Sequence, residues 1–176
     1  MTASQWTSTT AGASAVYGVG GGNCFEDAPN FDPCDDGAQA LAVYGRLYNW
    51  YAVDDVRGLC PEGWHVPTDE EWTQLEDQLT SEGFDGTEGS ALKTTSGWYQ
   101  FGNGTDDFGF SAPPSGYRWN VSGAFFVAGL GAQFWSSTPN GNNAWIRILG
   151  ANGDDISQDN WNQSYGLSVR CLSDDE

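Results

Sequence analysis

From Gly97 to the C-terminus, the chain consists of short apolar segments separated by Gly, Asn and Pro, a pattern that strongly limits the possible folds. Apolar and polar residues alternate over residues 144–149 and 167–171, as expected for half-buried antiparallel strands. The 24 glycines favour turns and loops over a helical bundle. We therefore predict an α+β fold with a small twisted antiparallel sheet and long loops.

Two segments before Gly97 have the periodicity of a helix. In YGRLYNWYAV, apolar residues lie at positions i, i+3, i+4 and i+7, which predicts a first helix within residues 44–53. Further along, Thr68 and Glu71 have the spacing of a capping box, and an apolar stripe follows them. We predict a second helix over about residues 69–80.

A length of 176 residues is that of one compact domain, and no stretch has the composition of an interdomain linker. We therefore predict a single domain over residues 1–176. Residues 1–43 are polar and rich in Gly, Ser and Thr, and we interpret them as an N-terminal extension. This extension contains an acidic loop between Cys24 and Cys34.

The net charge of −18, from 24 acidic and 6 basic residues, excludes some classes of partner. Such a surface repels phosphate backbones and anionic lipid head groups, so we expect no nucleic-acid partner and no membrane insertion. No run reaches the roughly 18 apolar residues that a membrane span needs. The opening MTASQWTSTTAG lacks the basic and apolar segments of a signal peptide, so we expect no export signal in this sequence.

The four cysteines allow three disulfide pairings, and their spacing is not that of a zinc site. Cys24 and Cys34 bracket a loop rich in turn formers, which is compatible with a local bridge. Cys60 and Cys171 would then remain, and a bridge between them would stabilise the fold by roughly 4 to 5 kcal/mol. Four free thiols remain the alternative, because no export signal is visible.

The sequence offers no catalytic constellation. His65 is the only histidine, and a catalytic or metal-binding histidine needs partners that this sequence does not supply. We interpret it as a hydrogen-bonded structural imidazole. Adjacent aspartates such as Asp154 and Asp155 are more typical of solvated turns than of an acid and a base across a cleft. We therefore predict a non-enzymatic protein with no catalytic residues and no metal site.

Several segments, in their order and spacing, resemble the Fibrobacter-type major paralogous (FISUMP) domain. They extend from Tyr44 to about Leu172 and are YGRLYNWYAV, GLCPEGWHVPTDEEW, LKTTSGW, GTDDFGFSAPPSGYR, FWSST, NAWIR and YGLSVRC. The resemblance implies a C-type-lectin-like fold with two helices, found in extracellular bacterial and phage-associated proteins. It also implies a disulfide between Cys60 and Cys171. We therefore expect an extracellular, cell-surface or virion-surface location.

Many C-type lectins bind sugar through calcium. The oxygen-rich motifs that hold the ion in those lectins are absent, because Pro139-Asn140 lacks the preceding acid and residues 159–162 only scramble the second motif. We expect no cofactor. Calcium in the acidic loop is the alternative, although a solvated charge cluster is the more usual interpretation.

The segment between FWSST and YGLSVRC has the composition of a binding surface. Residues 150–157 are Gly, Ala, Asn, Asp, Ile and Ser, held between two predicted strands, an arrangement in which a rigid scaffold presents an adaptable loop. We predict a ligand-binding face at about residues 140–164, with Trp119. The candidate residues are Trp119, Trp145, Ile146, Ile148, Asn152, Asp154, Asp155, Ser157, Asp159 and Trp161.

The family resemblance includes target proteins of diversity-generating retroelements, in which adenine-directed mutagenesis randomises asparagine-type codons near the C-terminus. All residues from Gly150 to Ser157, with Ile146 and Ile148, belong to the set that such mutagenesis yields. The alternative is that these are ordinary loop residues.

Two functions follow as expectations. The first is an extracellular or virion-displayed domain that recognises a protein or glycan receptor through this face. The second is a structural subunit of a filament, surface layer or virion decoration, whose partners are copies of itself.

Overall fold

The computed structural model describes residues 1–19 and 37–174. Cys24, Cys34, the predicted bridge between them and most of the acidic loop lie outside the described residues. Within the described ranges the chain forms five α-helices and a π-helical turn at Thr80–Phe84. The helices are α1 (Ala3–Ser8), α2 (Gly37–Tyr44), α3 (Trp50–Val53), α4 (Asp69–Leu79) and α5 (Glu88–Leu92).

The strands form one three-stranded sheet and three two-stranded sheets, all antiparallel. The strands are β1 (Ser14–Val16), β2 (Arg46–Tyr48), β3 (Trp64–His65), β4 (Tyr117–Arg118), β5 (Phe125–Phe126), β6 (Gly131–Asn140), β7 (Asn143–Gly150), β8 (Ser157–Asn162) and β9 (Leu172–Ser173). The pairs are β1 with β2, β3 with β9, and β4 with β5, and the central sheet has the order β6-β7-β8. The predicted α+β class is confirmed, whereas the predicted number of two helices is too low.

Helix α4 begins and ends where the sequence predicts. The hydroxyl of Thr68 accepts from the backbone N–H of Glu71 at 3.2 Å, and the Glu71 carboxylate accepts from the backbone N–H of Thr68 at 2.8 Å. This capping box satisfies two N–H groups that would otherwise lack partners at the helix start. Trp72 and Leu79 are buried against the central sheet.

The first predicted helix, within residues 44–53, is wrong in its central part. Helix α2 ends at Tyr44, and Gly45 follows with a φ of +73°. The next residues form β2, in which Leu47 pairs with Ala15, and the backbone N–H of Tyr48 donates to Leu167 O at 2.7 Å. These long-range backbone bonds outweigh the local helical period.

Strands β6 and β7 of the central sheet are mostly buried on both faces, whereas β8 is exposed or half-buried. On one face, Phe134 and Leu149 pack with Trp72 of α4. On the other, Trp135 and Ile146 pack in a cluster that includes Trp50 of α3. Because β6 and β7 are covered on both faces, they form a rigid centre for the surrounding loops.

The segments that carry the family resemblance meet in this core. The indole N–H of Trp135 donates to Tyr48 O at 2.8 Å, and the backbone N–H of Ser137 donates to Pro67 O at 2.8 Å. The backbone N–H of Trp135 also bonds to Ser168 O at 3.0 Å. YGRLYNWYAV, GLCPEGWHVPTDEEW, FWSST and YGLSVRC therefore act together as scaffold.

The N-terminal residues belong to the packed structure. Trp6 is buried, and its indole N–H donates to Ser164 O at 3.1 Å. The guanidinium of Arg118 lies 4.7 Å from the Trp6 ring centre, and its Nη atoms donate to Met1 O. Helix α1 is therefore anchored through Trp6, which contacts Arg118 and the backbone at Ser164.

A disulfide joins Cys60 to Cys171, 111 residues apart in sequence, with a Cα–Cα distance of 5.9 Å. Beside it, β3 pairs with β9, so that Trp64 lies opposite Ser173 and His65 opposite Leu172. The predicted pairing of Cys60 with Cys171 is confirmed. The helices within the described ranges are all too short or too polar to cross a membrane.

Candidate functional site

Strand register decides which predicted binding residues share a face. In the β7–β8 pair, Ile146 lies opposite Asp159 and Ile148 lies opposite Ser157. Side chains alternate along a strand, so these four residues and Trp161 are on the same side of the sheet. Ile146 is fully buried in the core, so it supports this face from below and does not contribute to its surface.

Trp161 belongs to a continuous row of aromatic rings that we call the aromatic row. It begins at the indole of Trp119, whose ring centre lies 5.7 Å from that of Phe126, and Phe126 stacks at 5.6 Å on Tyr117. Tyr117 meets Trp161 edge-on at 5.0 Å, and Trp161 lies 5.0 Å from Tyr165. Such offset and edge-on contacts fix the orientation of each ring.

The aromatic row is partly open to solvent. Trp119 is 36 % exposed, and the other four rings are half-buried. Tyr117 and Trp161 also pack against the core cluster around Ile146. Burial raises the pKa of the Tyr117 hydroxyl, so this group is a neutral hydrogen-bonding group over a wide pH range. The aromatic row is therefore a rigid surface whose inner side packs against the apolar core.

Polar side chains line the edge of the aromatic row. The indole N–H of Trp161 donates to a carboxylate oxygen of Asp159 at 2.9 Å, and Asp159 is exposed. The amide nitrogen of Asn120 donates to Asn162 Oδ1 at 3.3 Å, whereas the Asn120 Oδ1 atom is buried with no hydrogen-bond partner among the described residues. A carboxylate and several amides therefore stand beside the rings as hydrogen-bonding groups.

The predicted loop residues lie at the other end of β8. Asp154 and Asp155 are exposed, as is Asn152, and they precede Ser157 at the start of the strand. Ser157 and Trp161 are four residues apart, which corresponds to about 13 Å along a strand. The structure therefore places Asn152, Asp154 and Asp155 away from the aromatic row.

This loop is anchored by a buried lysine that sequence reasoning missed. The ammonium of Lys93, only 1 % exposed, donates to Gly150 O at 3.1 Å and to Gly153 O at 2.9 Å. Desolvation lowers the Lys93 pKa, while the nearby charges of Asp154 and Asp155 act in the opposite direction. Asp154 also accepts from the Ser90 hydroxyl at 2.7 Å. The loop is consequently held against α5 rather than free to adapt.

Trp145 lies on the opposite face of the sheet from Ile146, because the two are neighbours on β7. It is half-buried and lies opposite Asn160 in the strand register. Trp145 and Trp161 therefore point to different sides of the sheet, and only Trp161 joins the aromatic row.

Three of the five rings in the aromatic row are not among the residues predicted from the sequence: Tyr117, Phe126 and Tyr165. A signal was present for one of them: Tyr117 and Trp119 are two residues apart around the buried Arg118, the spacing at which strand side chains share a face. Phe126 and Tyr165 reach the row only through tertiary packing, so no local pattern points to them.

His65 makes the structural hydrogen bonds that we expected of it. Its Nδ1 lies 2.6 Å from Asp174 Oδ1, and its Nε2 lies 3.0 Å from Glu71 Oε1. The hydrogen bond with Asp174 raises the His65 pKa, since it favours the protonated ring. Across residues 1–19 and 37–174, no group of three or more His, Cys, Asp or Glu side chains is placed to hold a metal ion.

These features define a small disulfide-linked α+β domain with a rigid aromatic surface beside its central sheet. In a comparison with protein families, residues 23–173 match the Fibrobacter succinogenes major domain, and the chain belongs to this family. The resemblance seen in the sequence motifs is thereby confirmed. Searches of the curated proteins and of the solved structures found no match.

Proposed function

We propose that this protein is a non-catalytic binding domain that recognises a protein or glycan receptor through the aromatic row. One observation carries the proposal: five aromatic rings in continuous contact run along a partly exposed surface and have polar side chains at their edge. Rings of this kind give large contact area with little loss of conformational entropy on binding.

The polar edge supports recognition of a neutral or cationic ligand. Asp159 and the amides of Asn120 and Asn162 offer acceptors and donors beside the rings. Asn120 Oδ1 has no partner in the described part of the chain, and a ligand donor would remove the cost of that buried acceptor. Asp159 stands at this edge and the net charge is −18, so neutral sugars and neutral or basic protein surfaces fit the aromatic row best.

The proposal includes an extracellular, cell-surface or virion-surface location and a C-type-lectin-like fold. The Cys60–Cys171 disulfide supports this location, because such bonds persist in oxidising compartments. The central hairpin with long loops, tied near the C-terminus by that disulfide, supports the fold.

The first test is a binding screen with matched variants. In one experiment, the purified domain is applied to an array of neutral glycans. In a parallel experiment, domains with a photo-crosslinking amino acid at position 119 or 101 are incubated with intact cells. We expect Trp119→Ala and Trp161→Ala to reduce binding at least tenfold. Phe101→Ala is the control, because Phe101 is fully exposed and outside the aromatic row.

Two results would refute the proposal. One is a ligand whose affinity is unchanged in both tryptophan variants. The other is the absence of any glycan signal together with equal crosslinking from positions 119 and 101.

The proposal also includes diversification of this face by adenine-directed mutagenesis. If the family mechanism acts on this chain, variation in natural populations clusters at adenine-bearing codons between Asn140 and Ser164, while FWSST and YGLSVRC stay constant. Ile148, Ser157 and Asp159 are among the positions there whose side chains lie on the face of the aromatic row. Uniform sequence across this segment would remove diversification and leave a fixed binding surface.

A structural subunit is the second candidate function, and exposed apolar side chains outside the aromatic row favour it. Phe101 and Val56 are both fully exposed, which costs solubility unless they contact another molecule. Light scattering after size-exclusion chromatography tests this candidate. A concentration-dependent oligomer that Phe101→Ser with Val56→Ser converts to a monomer would support assembly, and a monomer in the wild-type protein at high concentration would contradict it.

A further inference from the structure

A concave site lies away from the aromatic row, between α4, the segment at Gly109-Phe110 and residues 170–172. It is a cavity of about 320 Å³. Its walls are mainly apolar and include the side chains of Trp64, Trp72, Leu75 and Phe110. Clefts that bind small molecules in proteins begin at about this volume. None of the rings of the aromatic row lines it.

Arg170 is the cation that lines this cavity, and its charge is not paired within the described part of the chain. Among the described residues no carboxylate lies within 4.0 Å of its guanidinium, although the chain has 24 acidic and 6 basic residues. Its Nη2 donates to Phe110 O at 2.5 Å, and the guanidinium lies 4.5 Å from the Phe110 ring centre. Desolvation lowers the Arg170 pKa, and the more distant charge of Asp106 opposes this effect.

Two residues that line this cavity each have a buried N–H group without an acceptor in the described part of the protein. These groups are the Nε of Arg170 and the indole Nε1 of Trp72, and neither is open to solvent. A buried donor without an acceptor is destabilising, and more so when it carries charge. An acceptor oxygen that entered between the covering side chains would recover this loss. The indole of Trp72 and the ring of Phe110, 6.0 Å apart, would then contact the apolar part of the same ligand.

Glu71 also lines the cavity, but its carboxylate is already engaged. One oxygen accepts from the backbone N–H and the hydroxyl of Thr68, and the other lies 3.0 Å from His65 Nε2. These contacts fix the carboxylate at the start of α4. An anionic ligand group is therefore directed to the Arg170 end of the cavity, away from Glu71.

We propose that this cavity is a binding site for a small, flat apolar carboxylate, with the ring system against Trp72 and Phe110 and the carboxylate at Arg170. A carboxylate matches a guanidinium better than a neutral acceptor does, because both oxygens accept charge-assisted hydrogen bonds. The apolar walls supply the remaining affinity by removing ring surface from water.

The test uses the ¹⁵N-labelled full chain and 2-naphthoate as the probe, followed by NMR of side-chain N–H groups. Trp72→Phe assigns the Trp72 indole signal, and Arg170→Lys assigns the Arg170 Nε–H signal. We expect saturable shifts of both signals and an unchanged Trp119 indole signal. The matched neutral probe, 2-naphthamide, should bind at least tenfold more weakly.

Arg170→Lys should weaken naphthoate binding at least tenfold, with Arg57→Lys as the control because Arg57 is exposed and remote from the cavity. Equal affinity for the acid and the amide would overturn the carboxylate assignment. Absence of shifts at Trp72 and Arg170 in the wild-type protein would overturn the site, whether or not the variants fold. Because Trp119 reports the aromatic row, failure here is distinguishable from failure of the proposed receptor-binding surface.

Discussion

Arg147 and Asp69 form an ion pair across the interface between β7 and α4, with Arg147 Nη1 2.5 Å from Asp69 Oδ1. The guanidinium is 1 % exposed, and its Nε pairs with Glu76, about two turns further along the same face of the helix. Asp69 lies in the first turn of α4, where its negative charge also interacts favourably with the helix dipole. The NAWIR segment thus fixes the helix to the sheet by charge as well as by apolar packing.

Replacing Arg147 should therefore be strongly destabilising. Arg147→Met leaves two partly buried carboxylates without their cation, and we expect a loss of about 3–5 kcal/mol in the free energy of unfolding. Urea denaturation followed by tryptophan fluorescence measures this. The matched change Arg57→Met breaks the exposed pair with Asp55 and should have a much smaller effect, because exposed ion pairs contribute little to stability. Equal effects of the two changes would show that burial does not matter here.

The Cys60–Cys171 disulfide should be a large contributor to stability. A bridge that closes a loop of 111 residues restricts the unfolded chain, and its removal should cost about 2–5 kcal/mol. The measurement is thermal unfolding of Cys171→Ser and of the double variant Cys60→Ser with Cys171→Ser. The double variant leaves no unpaired thiol at this site, so a melting temperature within 1–2 °C of the wild type, about the size of a few tenths of a kcal/mol, would contradict the role.

Local signals in the sequence sufficed for α4, because a capping box and an apolar stripe act within one segment. They failed for residues 44–53, where the spacing of Tyr44, Leu47 and Tyr48 suits a helix but the backbone bonds to β1 and Leu167. Those partners lie more than thirty residues away in β1, or beyond one hundred at Leu167, so no window of local sequence contains them. The same holds for Trp6, whose partner Arg118 comes late in the chain.

The candidate site was predictable in part. Ile148 belongs to the strand predicted over residues 144–149, and the register places it on one face with Ser157, Asp159 and Trp161. Strand β8, which carries those three residues, was not predicted as a strand. The loop residues Asp154 and Asp155 were grouped with them on composition alone. Their separate position depends on Lys93, a buried ammonium that donates to backbone carbonyls. Because every residue has a backbone carbonyl, this contact cannot be predicted from side-chain identity.

One substitution in helix α5 distinguishes helix propensity from packing, because the two effects change the stability of the protein in opposite directions. Alanine in place of a helical glycine is normally stabilising by about 1 kcal/mol. At Gly89, however, an added Cβ would lie 2.3 Å from Asp155 O, a backbone atom of the loop held by Lys93. We expect Gly89→Ala to cost about 1–3 kcal/mol and to speed hydrogen exchange over residues 150–155. Gly150→Ala is the control, since its nearest contact would be 4.0 Å away at Asn152 N. A stabilised Gly89→Ala would mean that the loop is not docked on α5.

The pH dependence of His65 tests the contact between the C-terminal segment and α4. Hydrogen bonds to Asp174 and Glu71 raise the folded-state pKa of His65 above its ordinary value of about 6.5. A raised pKa in a histidine means that its contribution to stability is fully present below pH of about 6.5 and is lost as the pH rises through the folded-state pKa. The side chain is 37 % exposed, so solvent screening keeps this contribution small and the titration is the sharper measurement.

Because His65 is the only histidine, one ring signal in the proton NMR spectrum reports it directly. We expect a midpoint above 6.5 in the wild type and a lower one in Asp174→Asn, whereas a midpoint at or below 6.5 in both proteins would show that Asp174 does not hold the ring in solution.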